Sequence, residues 1–188
     1  MSLRHAVLIA LQNEEATGYE IAKWFDQGMG YFWSSTHQQI YQELRKMVVS
    51  ELLTFREVSQ SGKPAKKIYT ITESGINELK SWLEKPVKQY VVKDALLMKI
   101  YSGHLLAPEK LLQEILTQQN HARELHTKYD EIEKKWFSEK ENLSLQQQYI
   151  FLTLRNGIIQ ADAWLKWSHE VVEFLEGKIE QTSNPPKH

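Results

Sequence analysis

The chain reads STHQQIYQELRKMVVS at residues 35–50, LLTFREV at 52–58, SQSGKPA at 59–65 and KKIYTIT at 66–72. The first segment predicts a helix that begins at Ser35 or Thr36, because each is a good N-cap residue with a glutamine three positions later. The second and fourth segments are rich in β-branched and aromatic residues and flank a run of turn formers. They therefore predict a two-stranded hairpin directly after the helix.

Two further helices are predicted before this stretch. Apolar residues recur at helical spacing from Leu3 onward in the first of them. Thr17 and Glu20 are three positions apart, as in a capping box, so the second helix is expected to begin near Gly18. It is expected to end around residues 28–30, where glycine adopts a left-handed conformation at little cost.

A fourth helix is predicted after the hairpin. It opens at Thr72 and is expected to carry Ile76, Leu79 and Leu83 on its inner face. The order helix, helix, helix, strand, strand, helix is that of a winged helix-turn-helix with a two-stranded β-wing. The first half of the chain is therefore predicted to be a winged-helix domain.

Pro86 marks a boundary between two domains, because it interrupts helical pattern on both sides. We expect the winged-helix domain at residues 1–86 and a helical, coiled-coil-like domain at 87–188, which makes the fold mainly α. The second domain is expected to open with a helix near 91–102. Pro108 then suits the first position of the next helix.

Heptad spacing characterises the helix after Pro108. Steps of four and three residues form a seam with one polar interruption at Gln118. The seam contains Leu111, Ile115, Gln118, Ala122, Leu125, Tyr129, Ile132 and Trp136.

The last predicted helix, residues 145–179, carries two apolar stripes, and two apolar faces need two partners. One stripe contains Leu154, Ile158, Ala161, Leu165, Val172, Leu175 and Ile179, and the other contains Trp164, Trp167, Val171 and Phe174. One partner can be the preceding helix, and the other is most simply a second subunit. The expected dimerisation residues are Leu154, Ile158, Leu165, Trp164, Trp167, Val171 and Phe174.

Composition excludes several classes of protein. The 188 residues are 41% hydrophobic and 25% charged, which is typical of a globular protein. The absence of cysteine excludes disulfides, thiol catalysis and thiolate metal sites. No segment approaches the roughly 18 apolar residues of a membrane-spanning helix. The start of the chain lacks a small-residue cleavage site, so a cytoplasmic protein is expected.

Charge has to be read locally. Residues 1–86 carry 10 basic and 10 acidic side chains, and residues 87–188 carry 13 basic and 14 acidic ones. Neither half is basic overall, so any nucleic-acid site must be a small patch.

Such a patch is predicted on the third helix and the wing. Gln38 and Gln42 on the outer helix face can bond adenine, and Arg45 can bond guanine. The polar residues around them suit phosphate oxygens, and the wing adds lysines. The full expected set is Ser34, Ser35, Thr36, Gln38, Gln39, Tyr41, Gln42, Arg45, Lys63, Lys66 and Lys67. The alternative is an ordinary solvated helix face and turn; the topological order of helix and wing favours DNA.

Enzyme, metal and cofactor sites are not predicted. Residues 28–30 lack the preceding strand and the further glycine or lysine of a phosphate-binding loop. His121 and His126 are five positions apart and point away from each other on a helix. No serine has an elbow motif and an assignable base, so no catalytic residue is named. A different class of function remains open, in which Trp136, Trp164 and Trp167 line a pocket for a small aromatic ligand; packing is the favoured interpretation of these three.

Several segments together resemble one known family. They are GYEI at 18–21, GYFW at 30–33, HQQIYQEL at 37–44, GKP at 62–64 and KIYTITESG at 67–75. They are similar to the PadR-family transcriptional regulators and, within that family, to the AphA-like virulence gene activators. The resemblance is specific in the winged helix and continues more loosely through the long helices.

This resemblance implies a homodimer joined by the C-terminal helices, with the third helix and wing of each subunit on DNA. Many relatives respond to aromatic effectors, but the AphA-like group is not defined by one, so no effector is implied. Glu51 stands where the family usually has glycine. A left-handed conformation there would carry strain of about 1 kcal/mol.

Overall fold

The computed structural model describes residues 3–27, 35–60, 63–87 and 93–183. The chain forms two compact units, Met1–Tyr90 and Val91–His188. The boundary predicted after Pro86 lies a few residues before this division.

The first unit is a winged helix, as predicted. Its elements are α1 (Leu3–Leu11), β1 (Ala16–Thr17), α2 (Gly18–Gln27), α3 (His37–Val49), β2 (Leu53–Gln60), β3 (Lys63–Ile71) and α4 (Glu73–Leu83). The strands form one antiparallel sheet in the order β1-β3-β2. We call the β2–β3 hairpin the wing.

Strand β1 is absent from the sequence prediction. Its two residues, Ala16 and Thr17, pair with Tyr69 and Ile68 of β3. A strand this short has no periodicity to detect. It joins the start of α2 directly to the wing.

The wing strands are longer than predicted. Ser59 and Gln60, expected in the loop, belong to β2, and residues 63–65 belong to β3. The ladder continues past an irregularity between Val58 and Gln60, and Gln60 pairs with Lys63. Strand pairing depends on hydrogen bonds between backbone groups, which every residue except proline can make in full. A ladder with a bulge can therefore include residues that usually form turns.

The predicted helix starts in this unit are confirmed. The Thr17 backbone N–H donates to Glu20 Oε2 at 2.8 Å, and the Glu20 N–H donates to Thr17 Oγ1 at 3.2 Å. Thr36 caps α3, and Thr72 caps α4 by accepting from the Gly75 N–H at 3.0 Å. The expected end of α2 at residues 28–30 lies outside the described residues.

The inner face of α4 differs from the prediction. Leu79 is buried, but Ile76 and Leu83 are exposed in the chain. The buried side instead contains Gly75, whose backbone approaches the Leu52 carbonyl so closely that a Cβ would lie 2.3 Å from that oxygen. This contact rotates the inward stripe by one residue, and Trp82 joins the core in place of Leu83.

The left-handed conformation considered for Glu51 is present. Its φ is 58°, the one positive value at a non-glycine residue in the described part of the chain. The turn lets the Leu52 N–H donate to the Met47 carbonyl at 2.9 Å, and Thr72 Oγ1 donates to the Glu51 carbonyl at 2.7 Å. Helix α3 therefore ends in the left-handed turn that a glycine at this position would form.

The second unit is helical. Its helices are α5 (Ala95–Tyr101), α6 (Pro108–Trp136) and α7 (Leu145–Ser183), with short 3₁₀ turns at Gly103–Leu105 and Lys140–Asn142. Asp94 caps α5, which is shorter than predicted, and Pro108 is in the first turn of α6 as predicted.

The predicted α6 seam is correct except at Gln118 and Trp136. Leu111, Ile115 and Tyr129 are buried, but Gln118 is exposed and Gln119 is buried instead. Trp136 is likewise exposed, and Phe137 is buried. Gln119 is held inside by a hydrogen bond that its side-chain amide donates to Ser168 Oγ of α7 at 2.9 Å.

The two stripes of α7 have different surroundings. Leu154, Ile158, Ala161 and Leu175 of the first stripe are buried in the single chain. In the second stripe, Trp167 and Val171 pack on the same small core as Leu96 and Ile100 of α5. Part of the second stripe therefore packs within the chain itself.

Candidate nucleic-acid interface

Helix α3 separates a core face from an outer face. Ile40, Leu44 and Met47 are fully buried. On the other side, the predicted base readers Gln38, Gln42 and Arg45 are exposed, as the helical period predicts. Because no described side chain hydrogen-bonds to them, they are available to an external ligand.

The start of α3 uses two of the predicted DNA contacts for capping. Thr36 Oγ1 accepts from the Gln39 backbone N–H at 3.2 Å, and the Thr36 N–H donates to Gln39 Oε1 at 2.9 Å. His37 at the first helical position pairs with Asp26 of α2, 2.9 Å away. The primary role of Thr36 and Gln39 is thus to fix where the outer face begins.

A cleft of about 600 Å³ lies between the start of α2, the outer face of α3 and strand β3. We call it the recognition cleft. It brings together four of the predicted residues, which are Tyr41, Arg45, Lys66 and Lys67. The others in its lining are Thr17, Gly18, Tyr19, Glu20, Ala65 and Tyr69.

The recognition cleft is cationic. Arg45, Lys66 and Lys67 face a single carboxylate, that of Glu20. Lys67 is partly engaged, because its Nζ lies 3.6 Å from Glu57 and 4.1 Å from the centroid of the Phe55 ring. Lys66 has no such ion pair among the described residues, so its charge is the more available for a phosphate.

Glu20 keeps its negative charge in this setting. Hydrogen bonds from the Thr17 backbone and hydroxyl lower the pKa of the Glu20 carboxyl, and the positive charge of Lys66 lowers it further. The carboxylate is therefore committed to the α2 capping box. It limits the positive charge of the cleft without offering a donor to DNA.

Two tyrosines complete the cleft. Burial raises the pKa of the Tyr69 hydroxyl, and the charge of Arg45 opposes that rise. Tyr41 is about two-thirds covered and lies against Gly18 at the start of α2, where a Cβ would be 2.4 Å from Tyr41 Cε1. The Tyr69 hydroxyl is therefore a neutral hydrogen-bonding group near pH 7.

Some predicted contacts are not in the cleft. Ser34 lies outside the described residues, and Ser35 and Gln38 precede the part of α3 that lines the cleft. Lys63 is the first residue of β3. The lining residues that the sequence analysis missed are Thr17, Gly18, Tyr19, Glu20, Ala65 and Tyr69. For Tyr69, the period of two in β3, which places it on the same side as Lys67, was the available signal.

Other sites are not found in the described parts of the chain. Across residues 3–27, 35–60, 63–87 and 93–183, no three His, Asp or Glu side chains are arranged to hold a metal ion. No helix in those ranges is long and apolar enough to cross a membrane.

Two family models match the chain, one in each unit. Residues 7–81 match "Transcriptional regulator PadR-like family", and residues 92–176 match "Virulence activator alpha C-term". A probable transcriptional regulator from Mycobacterium tuberculosis, Rv1176c, is 32% identical over 95% of this chain and 100% of its own length. The chain belongs to the PadR family. The negative transcriptional regulator PadR of Bacillus subtilis is 42% identical over 53% of this chain and 55% of its own length.

Solved structures of PadR-family proteins agree with both units. The virulence activator AphA of Vibrio cholerae has a TM-score of 0.79 and 32% identity, over 94% of this chain and 99% of that one. B. subtilis PadR in complex with operator DNA has a TM-score of 0.80 and 27% identity, over 92% and 98% of the two chains. The same protein with p-coumaric acid has a TM-score of 0.74 and 26% identity, over 93% and 95%. This PadR-family chain is a transcriptional regulator with the winged-helix fold.

Proposed function

We propose that this PadR-family regulator binds double-stranded DNA as a homodimer on a pseudo-palindromic site, with one half-site for each subunit. The observation that carries the proposal is the recognition cleft, where Arg45 of α3 and Lys66 of the wing line one surface. B. subtilis PadR, a relative of similar fold, has been solved with operator DNA. A helix and a wing on one face can contact a groove and its flanking phosphates together.

The residues divide into base readers and phosphate contacts. Gln38, Gln42 and Arg45 have the exposed amide and guanidinium groups that recognise purine edges in a major groove. Tyr41 and Lys66 suit phosphate oxygens, because a hydroxyl and an ammonium can both donate hydrogen bonds to them. Such contacts position the protein on DNA and carry no information about the base. Ser34, Ser35, Lys63 and Lys67 are proposed as further phosphate contacts.

The dimer is proposed to form through the second unit. Leu165, Trp164, Trp167, Val171 and Phe174 stay candidates for its contacts. Leu154 and Ile158 are only 4% and 5% exposed in the single chain, so any role they have in the dimer is through the packing of α7.

The proposed role involves no catalysis and places the protein in the cytoplasm, where a regulator meets its promoters. The affinity for DNA should have two components, one from phosphate contacts and one from base contacts. The phosphate component weakens as the salt concentration rises, so a salt titration separates the two.

Selection of bound fragments from genomic DNA tests the proposal. The purified full chain is mixed with fragments, the bound ones are sequenced, and the affinities of the best site and of random duplex are followed against salt. We expect an inverted repeat bound at least ~10³ times more tightly than random DNA. Weak binding that is equally sensitive to salt on every sequence would contradict the proposal.

A second candidate function is the sensing of an aromatic ligand. The structure of B. subtilis PadR with p-coumaric acid favours it, since that protein shares this fold. In this chain, the Trp164 and Trp167 rings meet edge to face with centroids 5.8 Å apart. Titration with p-coumaric acid should give saturable quenching of tryptophan fluorescence that is reduced in Trp164→Phe; unchanged fluorescence up to millimolar acid would reject a sensor of such acids.

A further inference from the structure

Tyr69 is a buried titratable residue that has no role among the proposed DNA contacts. It is 7% exposed, and its ring belongs to the core of the first unit, with the centroid of the Phe55 ring 6.0 Å away. Its backbone lies in the central strand of the sheet, paired with Ala16 on one side and Phe55 on the other. The core and the sheet therefore hold this side chain in one position.

The Tyr69 hydroxyl, unlike its ring, opens into the recognition cleft. Burial raises the pKa of this hydroxyl, Arg45 lowers it and Tyr41 raises it, so both of these cleft residues lie near it. In the described part of the chain, no residue forms a hydrogen bond with the hydroxyl, and no side-chain oxygen or nitrogen is both buried and without a partner. The hydroxyl therefore reaches solvent through the cleft, where its hydrogen bond is available to a ligand.

The charge around this hydroxyl favours an anion. The lining of the cleft contains Arg45, Lys66 and Lys67 but a single carboxylate, that of Glu20. The carboxylate accepts hydrogen bonds from the Thr17 backbone N–H at 2.8 Å and from the Thr17 hydroxyl at 2.7 Å, so it is engaged in the capping box. A concave surface lined mainly by positive charge attracts negatively charged ligands. Toward such a ligand the hydroxyl acts as a hydrogen-bond donor.

A phosphate group suits the donors of the cleft better than a base edge does. Its oxygens can accept from several donors at once, and the cleft offers the hydroxyls of Tyr69 and Tyr41 and the ammonium of Lys66. A hydroxyl can both donate and accept, so by itself it does not discriminate between bases. Its contribution is therefore expected to position the protein on a phosphate and not to read the sequence.

The fixed position of Tyr69 increases the value of its hydrogen bond. A flexible surface side chain, such as exposed Lys66, loses rotamer freedom when it binds a ligand. The Tyr69 ring is already immobilised in the core, so its hydroxyl is presented to a ligand without that cost. We therefore expect a measurable loss of affinity when this one oxygen atom is removed.

We propose that the Tyr69 hydroxyl donates a hydrogen bond to a phosphate group bound in the recognition cleft, together with Tyr41 and Lys66. The inference rests on the proposed DNA binding and deepens it by adding a contact from the core of the first unit. The phosphate belongs either to the DNA backbone or to a free phosphorylated compound that occupies the same site. The two arms of the test distinguish these sources.

The first arm measures DNA binding by the full chain with Tyr69→Phe, which removes the hydroxyl and keeps the ring. Affinities for the inverted repeat and for random duplex should fall by the same factor, at least ~10-fold, as one hydrogen bond to a charged group is lost. The salt slope should not change, because a neutral donor releases no counterion, whereas Lys66→Ala should lower it by ~1. Tyr149→Phe, at an exposed tyrosine of the second unit, is the matched control and should bind like the parent.

A scan of the DNA backbone identifies the phosphate in this arm. Single phosphates of the duplex are replaced in turn by neutral methylphosphonates, and the parent and Tyr69→Phe are compared at each position. At one phosphate in each half-site the replacement should weaken the parent much more than the variant, because both changes remove the same contact. A purely structural role of Tyr69 would give no such coupling at any phosphate.

The second arm is a calorimetric titration with inorganic pyrophosphate at constant ionic strength. Binding to the parent that is lost in Tyr69→Phe and kept in Tyr149→Phe would show that the site takes a free phosphorylated compound. Pyrophosphate should then also compete with duplex DNA for the parent.

Equal binding by the parent and Tyr69→Phe in both arms would overturn the inference, while an inverted repeat bound by the parent would leave the proposed function standing. A parent that binds every duplex weakly would instead reject the proposed function, and the pyrophosphate titration would still decide the phosphate site. Relaxed preference at a single base pair in Tyr69→Phe, with random DNA bound as before, would also overturn the inference, because Tyr69 would then act through Arg45. Urea unfolding should give parent and variant the same free energy, since the hydroxyl has no partner in the described part of the chain.

Discussion

The Tyr41 ring occupies the space that a side chain at Gly18 would need, since an added Cβ would lie 2.4 Å from Tyr41 Cε1. This contact joins the start of α2 to the outer face of α3 within the recognition cleft. It fixes the position of a predicted phosphate contact by means of a residue that has no functional group of its own.

Gly18→Ala should displace Tyr41 and weaken DNA binding several-fold. Forced contacts of this kind cost about 1–3 kcal/mol, and the low end is expected because Tyr41 is partly exposed and can rotate. Urea unfolding and operator titration measure the two effects. In a Tyr41→Ala background the same substitution should be neutral for stability, since the two residues then no longer couple; an equal cost in both backgrounds would refute the steric explanation.

Glu51→Gly should stabilise the protein by about 1 kcal/mol, the strain of a left-handed non-glycine residue. The positive φ of 58° is at Glu51 alone, so Ser50→Gly, one residue earlier, should destabilise or have no effect. Chemical denaturation of both variants measures the difference. Equal stability of parent and Glu51→Gly would mean that the side chain has an unrecognised stabilising role.

Arg45→Ala and Lys66→Ala should weaken DNA binding in different ways. Loss of a base reader costs roughly 1–3 kcal/mol and relaxes the preference at one position, whereas loss of a phosphate contact weakens all sequences and lowers the salt slope by ~1. Competition binding on single-base operator variants, repeated at several salt concentrations, separates the two. Lys80→Ala, on α4 and outside the cleft, is the control. Equal losses on operator and random DNA from Arg45→Ala would contradict its assignment.

Ser168→Ala should destabilise the second unit by about 1–3 kcal/mol, the cost of an unsatisfied buried polar group. Gln119 is 1% exposed and donates to Ser168 Oγ at 2.9 Å, between α6 and α7. Replacing both residues, as Gln119→Leu with Ser168→Ala, should restore most of the stability. Thermal unfolding of the single and double variants checks this; a double variant less stable than Ser168→Ala would show that packing, not the hydrogen bond, decides the site.

Local signals in the sequence predicted the helix starts well, because a capping box such as Thr17 with Glu20 depends on residues three positions apart. The same signals failed where distant parts meet. The exposed position of Leu83 follows from the approach of Gly75 to Leu52, and β1 exists because β3 is there to pair with it. Gln119 is buried in place of Gln118 because its amide meets Ser168 of α7, a partner 49 residues away in the sequence.

The candidate site shows the same division. Arg45 and Lys66 could be named from a helical face and a basic wing. Tyr69 and Gly18 enter the recognition cleft through the packing of α2 against α3 and β3, which one-dimensional spacing does not contain.

Strand β1 has a mechanical consequence. Its two residues tie the first turn of α2 to the middle of β3, so the wing is not a free arm that swings independently of the helices. If DNA binds the wing lysines as proposed, a pull on them would be transmitted through this short ladder to Gly18 and thus to Tyr41. The wing and the outer face of α3 therefore move as one connected unit.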